Sequence, residues 1–174
     1  TIAVKDKAIT LNLNGRKLYN ETDLWDNPDA EAGNWSLISV RGTGNLTITG
    51  NGTLSAKEND CYAVDVQDVN ASVTIANGTF VGNIHAVYVK EGTAFIKGGS
   101  YSIQQKYPDA AKADEFVLNC YDASRQDYEA KIYVSGGSFE KFNPADCKAE
   151  GEGTNFCEEG YTTTKNGDTY TVVA

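Results

Sequence analysis

The stretch Val73–Ile103 reads VTIANGTFVGNIHAVYVKEGTAFIKGGSYSI and contains nearly the same phrase twice. Its two copies, VTIANGTF and AFIKGGSY, each combine a short alternating run, a glycine, a serine or threonine, and an aromatic residue. Their glycines, Gly78 and Gly99, lie 21 residues apart. A phrase that returns after so short an interval predicts a repeat architecture in which small units stack on one another.

Further copies of this phrase lie on both sides of the opening stretch. LTITGNGTL begins at Leu46, IYVSGGSF begins at Ile132, and a weaker copy, ITLNLNGRKL, begins at Ile9. The interval between copies varies while the phrase does not, which is typical of stacked coils whose connecting loops differ in length. The glycines that mark the copies are Gly15, Gly52, Gly78, Gly99 and Gly137.

A second alternating phrase precedes the first one in four units, as LISVRG, AVDVQD, AVYVKEG and VLNCYD. Alternation places every second side chain on the same face of a strand, so equivalent apolar residues of successive units are expected to stack. The expected inward positions of the leading strands are Ile38, Val40, Val64, Val66, Val87, Val89, Leu118 and Cys120. Those of the following strands are Leu46, Ile48, Val73, Ile75, Ala94, Ile96, Ile132 and Val134, with Leu54, Phe80, Tyr101 and Phe139 behind the glycines.

These patterns predict an all-β fold, a short single-stranded parallel β-helix, or solenoid. With about 4.8 Å between stacked strands, residues 1–160 would form about five to six coils. The tail GYTTTKNGDTYTVV predicts a β-hairpin that turns at Asn166-Gly167. This hairpin, residues 161–174, is expected to cap the C-terminal end as part of the same domain, because an open solenoid end exposes unpaired strand edges.

Composition excludes several classes of partner and cofactor. The net charge is −9 and only three arginines are present, which argues against nucleic-acid binding. No segment approaches the roughly 20 apolar residues that cross a membrane. The four cysteines form no C-x-x-C pair and the chain has one histidine, so neither a metal nor another cofactor is expected. Cys147 and Cys157 share one loop and could form a disulfide or remain free thiols.

The repeated strand-glycine-aromatic phrase resembles right-handed parallel β-helix domains of the pectate-lyase-like type. The segment Ala130–Val173, AKIYVSGGSFEKFNPADCKAEGEGTNFCEEGYTTTKNGDTYTVV, is similar to the C-terminal part of fibre-like structural proteins of phages and prophages of gut bacteria. The resemblance implies a right-handed coil and a non-enzymatic, virion-surface or extracellular homo-oligomer, such as a trimer. It also implies contacts with other virion proteins and with host or mucosal glycans. Cys147 and Cys157 depart from the pattern of this family.

The outward residues of the leading strands are predicted to form a ladder that contacts glycans. Tyrosine and amide side chains suit this role, because sugars are held by ring faces and hydrogen bonds. The ladder contains a single carboxylate, Asp65, whereas hydrolytic glycosidases use two, so the sequence predicts a protein that is not an enzyme. Trp25 and Trp35 would extend this surface if their loop folds onto it. The candidate glycan-binding residues are Asn12, Ser39, Asp65, Tyr88, Asn119 and Tyr121.

The outward face of the following strands carries a pair of aromatic residues. Phe95 and Tyr133 are predicted to stand side by side, which makes them a candidate interface between copies of the chain. Alternatively, the segment Gln104–Glu115, which is compatible with a helical turn, covers them. The sequence thus favours a fibre-like structural protein that binds glycans, with a polysaccharide lyase or hydrolase and a bacterial surface adhesin as alternatives.

Overall fold

The computed structural model describes residues 1–25, 33–105 and 116–174. Its strands follow one another in triplets, with one short helix, α1 (Asp122–Gln126), inside the last triplet. The first three triplets are β1 (Ile2–Lys5), β2 (Ala8–Asn12), β3 (Lys17–Tyr19); β4 (Ser36–Arg41), β5 (Asn45–Thr49), β6 (Thr53–Ser55); and β7 (Tyr62–Val66), β8 (Ser72–Ile75), β9 (Thr79–Gly82). The next are β10 (Val87–Val89), β11 (Gly92–Ile96), β12 (Ser100–Ile103); and β13 (Leu118–Cys120), β14 (Ala130–Val134), β15 (Ser138–Glu140), followed by β16 (Thr162–Asn166) and β17 (Thr169–Val173).

Each triplet contributes one strand to each of three sheets. Sheet 1 has the order β1-β4-β7-β10-β13 and sheet 2 the order β2-β5-β8-β11-β14. Sheet 3 has the order β3-β6-β9-β12-β15-β17-β16. The pairs among β1 to β15 are parallel, whereas β17 pairs antiparallel with both β15 and β16. The chain is therefore all-β with parallel sheets, as predicted, and this arrangement is consistent with a β-solenoid.

The predicted stacking of equivalent apolar side chains is confirmed by the strand register. In sheet 1, Val89 pairs with Val66 on one side and with Cys120 on the other. In sheet 2, Ile75 pairs with Ile48 and Ile96. All six residues are at most 1% exposed, so the apolar columns of the sheets form the core. The alternation of the sequence thus correctly identified the inward face of each strand.

A column of aromatic rings fills the core behind the marker glycines. Tyr101 stacks on Phe80 with 5.2 Å between ring centroids and on Phe139 with 4.8 Å. Gly99, before β12, has φ of +98°, which L-residues with a side chain rarely adopt. A Cβ atom on Gly99 would lie 2.9 Å from the carbonyl oxygen of Gly78, one repeat earlier. The repeated glycine therefore permits both the corner and the close approach of successive units.

The C-terminal hairpin is present where the sequence predicted it. Strands β16 and β17 pair from Thr162↔Val173 to Asn166↔Thr169, and Gly167 in the turn has φ of +59°. The hairpin extends sheet 3 through the pair Phe139↔Tyr170. Most of the predicted covering segment Gln104–Glu115 lies outside the described residues. Within residues 1–25, 33–105 and 116–174, no helix has the length and apolar character needed to cross a membrane.

Candidate functional site

Four of the predicted ladder residues lie in one column on sheet 1. Asp65 pairs with Ser39 and Tyr88, and Tyr88 pairs with Asn119. We call Ser39, Asp65, Tyr88 and Asn119 the sheet 1 column. Tyr121 follows directly after β13 and is 49% exposed.

The predicted position of Asn12 in this ladder is wrong. Asn12 lies in β2 of sheet 2, where it pairs with Thr49. The residue beside Ser39 in the first triplet is Ala3 of β1. Asn12 belongs to the repeated phrase ITLNLNGRKL, which covers most of β2 and the start of β3, whereas the leading strand of the first triplet is IAVK.

The predicted exposure of Ser39 and Asp65 is also wrong, since both are completely buried. The Asp65 carboxyl group contacts Ser36 Oγ at 2.9 Å and forms a second, short hydrogen bond with the side-chain amide of Gln67. Arg41 donates from Nε to Ser39 Oγ at 2.9 Å and from Nη2 to the carbonyl oxygen of Gly33 at 2.8 Å. The carbonyl oxygen of Gly33, before β4, therefore holds the Arg41 side chain beside Ser39.

Burial controls the protonation of Asp65. The loss of hydration raises the pKa of this carboxyl group above 3.8, while hydrogen bonds from Ser39, Gln67 and Ser36 and the charge of Arg41 oppose the shift. Because Asp65 has no exposed surface, it does not meet a polysaccharide in this conformation. Arg41 is likewise engaged, because it donates to Ser39 and to the carbonyl oxygen of Gly33. The Asp65 network therefore stabilises the structure and offers no acid to a substrate.

An aromatic cluster lies on the same side of the molecule. Trp25 contacts Trp35 and Tyr62 edge to face, with centroids 4.6 and 5.2 Å away. Tyr62 lies 4.8 Å from His85 and 5.0 Å from Tyr88. We define the aromatic cluster as Trp25, Trp35, Tyr62, His85, Tyr88 and Phe116.

The carboxylate of Asp60 fixes the tryptophan end of this cluster. It accepts hydrogen bonds from the backbone N–H groups of Leu24 and Trp25, both at 2.9 Å, and from Nδ2 of Asn20 at 2.6 Å. Asp60 is 4% exposed, so these bonds replace the water that its carboxylate loses. This buried acid anchors the segment before the undescribed residues 26–32.

His85 is a structural member of the aromatic cluster. Its Nδ1 donates to the carbonyl oxygen of Phe116 at 2.6 Å, and its ring stacks on Tyr88 at 5.1 Å. Burial lowers the pKa of His85 to about 4, because the imidazolium would lose its hydration. The imidazole is therefore neutral at physiological pH and holds the strand ends of two neighbouring units together.

The sequence contained a signal for the aromatic cluster that the alternation does not reveal. Tyr62, His85 and Phe116 each stand directly before the apolar pair that opens a leading strand, in YAV, HAV and FVL. One ring at the same offset in three successive units predicts a stack in a repeat protein. The two tryptophans join this stack from a connecting segment, as the sequence had allowed.

The outer face of sheet 2 presents a second column, which is polar at one end and aromatic at the other. Phe95 pairs with Thr74 and with Tyr133, as the sequence predicted. The two rings stack with 5.7 Å between centroids and 19° between planes. Tyr133 is 41% exposed. The full column, from the first triplet to the last, is Thr10, Thr47, Thr74, Phe95 and Tyr133.

A cleft of about 640 Å³ lies beside this aromatic pair. It brings a cation, Lys97, and a carboxylate, Glu158, next to the two rings and to the ring of Tyr161. The backbone N–H of Glu158 is bonded to the carbonyl oxygen of Val134 at 2.9 Å, so the segment that carries Glu158 is fixed to sheet 2. We define the sheet 2 cleft as Phe95, Lys97, Tyr133, Ser135, Glu158 and Tyr161.

The four cysteines are free thiols, so the disulfide considered between Cys147 and Cys157 is absent. Cys147 and Cys157 have different backbone partners. Cys147 pairs with Thr154 inside the loop, and Cys157 pairs with Val134 beside sheet 2. Burial raises the pKa of both thiols to about 11. In the described part of the chain, no three His, Cys, Asp or Glu side chains are grouped to hold a metal ion.

Comparison of the chain with protein-family models, with curated proteins and with solved structures gives no match.

Proposed function

We propose that this chain is a non-enzymatic surface module that binds glycans in the sheet 2 cleft. In this proposal the three sheets close into a right-handed parallel β-helix of about five to six coils, with strand triplets stacked about 4.8 Å apart. The parallel register of sheets 1 and 2 supports this arrangement, and the hairpin β16–β17 caps one end. Such a coil is a rigid support for a binding surface, because each strand is hydrogen-bonded to the next unit.

The observation that carries the proposal is the stacked pair of half-buried Phe95 and exposed Tyr133 beside the cleft. Sugar-binding sites combine apolar ring surface, which packs on the C–H groups of a pyranose, with a few polar groups that bind its hydroxyls. The rings of Phe95, Tyr133 and Tyr161 supply the first, and Lys97, Ser135 and Glu158 supply the second. The two rings are held by adjacent strands in fixed register, so their surface is preorganised.

We place the module on a virion or another extracellular surface, in a fibre-like structural protein that contacts itself and other virion proteins. The support is the similarity of Ala130–Val173 to phage fibre-like proteins, together with the hairpin that ends this segment. A trimer is the assembly that this resemblance favours. A bacterial surface adhesin, the other non-enzymatic alternative, would bind glycans in the same cleft. It differs from the virion protein in that a bacterial cell carries it.

The alternative of a polysaccharide-degrading enzyme has less support. Hydrolytic glycosidases place two carboxyl groups about 5 to 10 Å apart at the scissile bond. Among the described residues that line the sheet 2 cleft, Glu158 supplies a single carboxylate. The acid that the sequence suggested, Asp65, is completely buried on another sheet.

A glycan array probed with labelled protein, followed by calorimetry with the best oligosaccharide, tests the proposal. We expect Tyr133→Ala and Phe95→Ala each to weaken binding about tenfold or more, which is at least about 1.4 kcal/mol. The matched control is Tyr121→Ala, because Tyr121 is similarly exposed but follows β13 of sheet 1, away from the sheet 2 cleft. Equal loss in the control, or binding that survives both cleft variants, would contradict the sheet 2 site.

The same variants separate glycan binding from a lateral interface. If the pair Phe95–Tyr133 instead joins copies of the chain, the double variant Phe95→Ser with Tyr133→Ser lowers the mass measured by light scattering. In that case no glycan competes with assembly, and the proposed binding role is wrong. A mass that the double variant leaves unchanged, together with lost glycan affinity, supports the cleft.

A further inference from the structure

The apolar core columns reach solvent at one end of the molecule. Ile2 of β1 pairs with Ile38, and Ile9 of β2 pairs with Leu46. Ile38 and Leu46 are each 1% exposed, whereas Ile2 is 52% and Ile9 is 40% exposed. The first triplet thus presents core-type side chains without a unit stacked upon them, in the part of the chain that the structure describes.

Unpaired strand edges accompany these side chains. The orders of the three sheets end at β1, β2 and β3, which we call the N-terminal edge. Among the described residues, no further strand pairs with the outer N–H and C=O groups of these three strands. Edge strands of this kind add further strands readily, and natural proteins usually protect them.

The opposite end of sheets 1 and 2 is protected by the chain itself. The backbone N–H of Cys120, in the last strand of sheet 1, donates to the Glu150 carboxylate at 2.7 Å. Val134, in the last strand of sheet 2, pairs with Cys157. Sheet 3 continues into the hairpin, whose last strand, β16, is largely exposed and forms the remaining edge. We call residues 140–174 the C-terminal end.

The two ends carry opposite charges. Residues 1–19 contain four basic side chains, Lys5, Lys7, Arg16 and Lys17, and one acidic side chain, Asp6. The C-terminal end contains seven acidic and three basic side chains. Two N-terminal edges facing each other would bring like charges together, whereas an N-terminal edge facing a C-terminal end brings opposite charges together.

We infer that the N-terminal edge docks on the C-terminal end of a second copy of this chain, head to tail. Docking would cover Ile2 and Ile9, and it would place the basic first triplet against the acidic loop and hairpin of the next molecule. An interface between two different surfaces of one protein does not close by itself, so it produces chains of molecules along the stacking direction. Two residues of the sheet 2 cleft, Glu158 and Tyr161, belong to the C-terminal end.

Sedimentation velocity and light scattering over a range of protein concentrations and salt test this inference. At low salt we expect the mass to rise with concentration beyond a dimer, and we expect added salt to reduce it, because charge attraction is screened. The variant Ile9→Asp should abolish the association, because it places an acidic charge on an apolar edge that would face an acidic surface. The matched control is Val69→Asp, because Val69 is an exposed apolar residue, at 51%, in a turn away from both ends.

A second variant keeps the test independent of the fold of β2. Lys5→Glu with Lys7→Glu changes only exposed side chains and should abolish the low-salt association while the circular dichroism spectrum stays unchanged. A monomer at every concentration overturns the inference. A wild-type protein whose mass stays that of a closed dimer or trimer at every concentration and salt also overturns it. Loss of assembly only in the Phe95→Ser, Tyr133→Ser variant would place the interface on sheet 2 instead, whether or not glycans bind.

Discussion

Ser36 Oγ lies 2.9 Å from Asp65 Oδ1, and both side chains are completely buried. The same hydroxyl lies 2.8 Å from the carbonyl oxygen of Ile38, which can only accept a hydrogen bond. Ser36 donates toward both acceptors with a single proton, so the Asp65 carboxyl group receives only a shared hydrogen bond from it. The geometry and the raised pKa of Asp65 therefore agree on a carboxyl group that holds a proton more strongly than it would in water.

Replacement of Asp65 should separate its hydrogen bonds from its charge. We expect Asp65→Ala to lower the free energy of unfolding by about 1 to 3 kcal/mol, because Ser36 and Gln67 lose a buried partner. Asp65→Asn should cost less, since its amide can donate to Ser36 and its oxygen can accept from Gln67. Urea unfolding of the two variants beside the wild type measures the difference, and equal losses would contradict a donor at this position.

The pH dependence of stability gives a second test of Asp65. Its pKa is raised above 3.8 in the folded protein, so the folded state retains a proton that the unfolded chain releases. The resulting stabilisation is complete below pH 3.8 and is lost as the pH rises through the folded pKa. The stability of the wild type relative to Asp65→Asn should therefore fall with rising pH in this window. A difference that grows with pH would show that the pKa is lowered.

His85 should destabilise the fold in acid. Its folded pKa of about 4 lies below the ordinary 6.5, so its contribution is complete above pH 6.5 and is lost as the pH falls toward 4. The loss amounts to about 3 kcal/mol at most. His85→Phe keeps a ring in the stack and should remove this part of the acid sensitivity. Because the chain has one histidine, a proton NMR titration reports it directly, and a midpoint near 6.5 would contradict the structure.

Gly99 should tolerate a methyl group less well than Gly15 does. Both have positive φ, +98° and +71°, but a Cβ atom at Gly15 meets nothing within 4 Å, whereas one at Gly99 lies 2.9 Å from Gly78 O. We expect Gly15→Ala to cost about 1 kcal/mol from backbone strain alone. Gly99→Ala should cost about 2 to 3 kcal/mol. Thermal unfolding of both variants compares the two, and equal costs would mean that the contact between units relaxes freely.

The ring of Tyr101 should contribute more to stability than its hydroxyl group. Tyr101→Ala would leave a cavity between Phe80 and Phe139, with an expected loss of about 3 to 5 kcal/mol. Tyr101→Phe keeps the stack and loses the hydrogen bond of 2.7 Å from the hydroxyl to the Gly98 carbonyl, at about 1 kcal/mol. Denaturant unfolding measures both changes. A phenylalanine variant as unstable as the alanine variant would contradict this division.

The sequence predicted the inside of the molecule more accurately than the outside. Val66, Val89 and Cys120 stack as the alternation required, because the period of two fixes the face of each side chain and the repeat fixes its neighbours. The same reasoning assigned Ser39 and Asp65 to an outward column, which is their place in the register. It did not reveal their burial, since this depends on the side chains of Ser36, Gln67 and Arg41, whose contacts the alternation does not specify.

The same reason explains why the sequence predicted the aromatic pair on sheet 2 but not the cleft beside it. Phe95 and Tyr133 belong to equivalent positions of two consecutive units, so their contact followed directly from the repeat. The partners that turn this pair into a cleft, Glu158 and Tyr161, lie in the segment between β15 and β16, which has no counterpart in other units. Local periodicity therefore predicts contacts within the ladder, while contacts made by a unique segment depend on the complete chain.

The strands of sheets 1 and 2 pair with the equivalent strands of the neighbouring triplets, and this has an evolutionary consequence. In sheet 2, β8 pairs only with β5 and β11, and equivalent neighbours recur along the other sheets. Deletion of the 21 residues from Thr79 to Gly99 would join Gly78 directly to Ser100. The strands on either side of the deletion would then pair, with Val66 beside Cys120, Ile75 beside Val134 and Leu54 beside Tyr101. Every apolar column would stay continuous. A gene for this protein can therefore gain or lose whole units by unequal recombination, and its length can adapt without a new core.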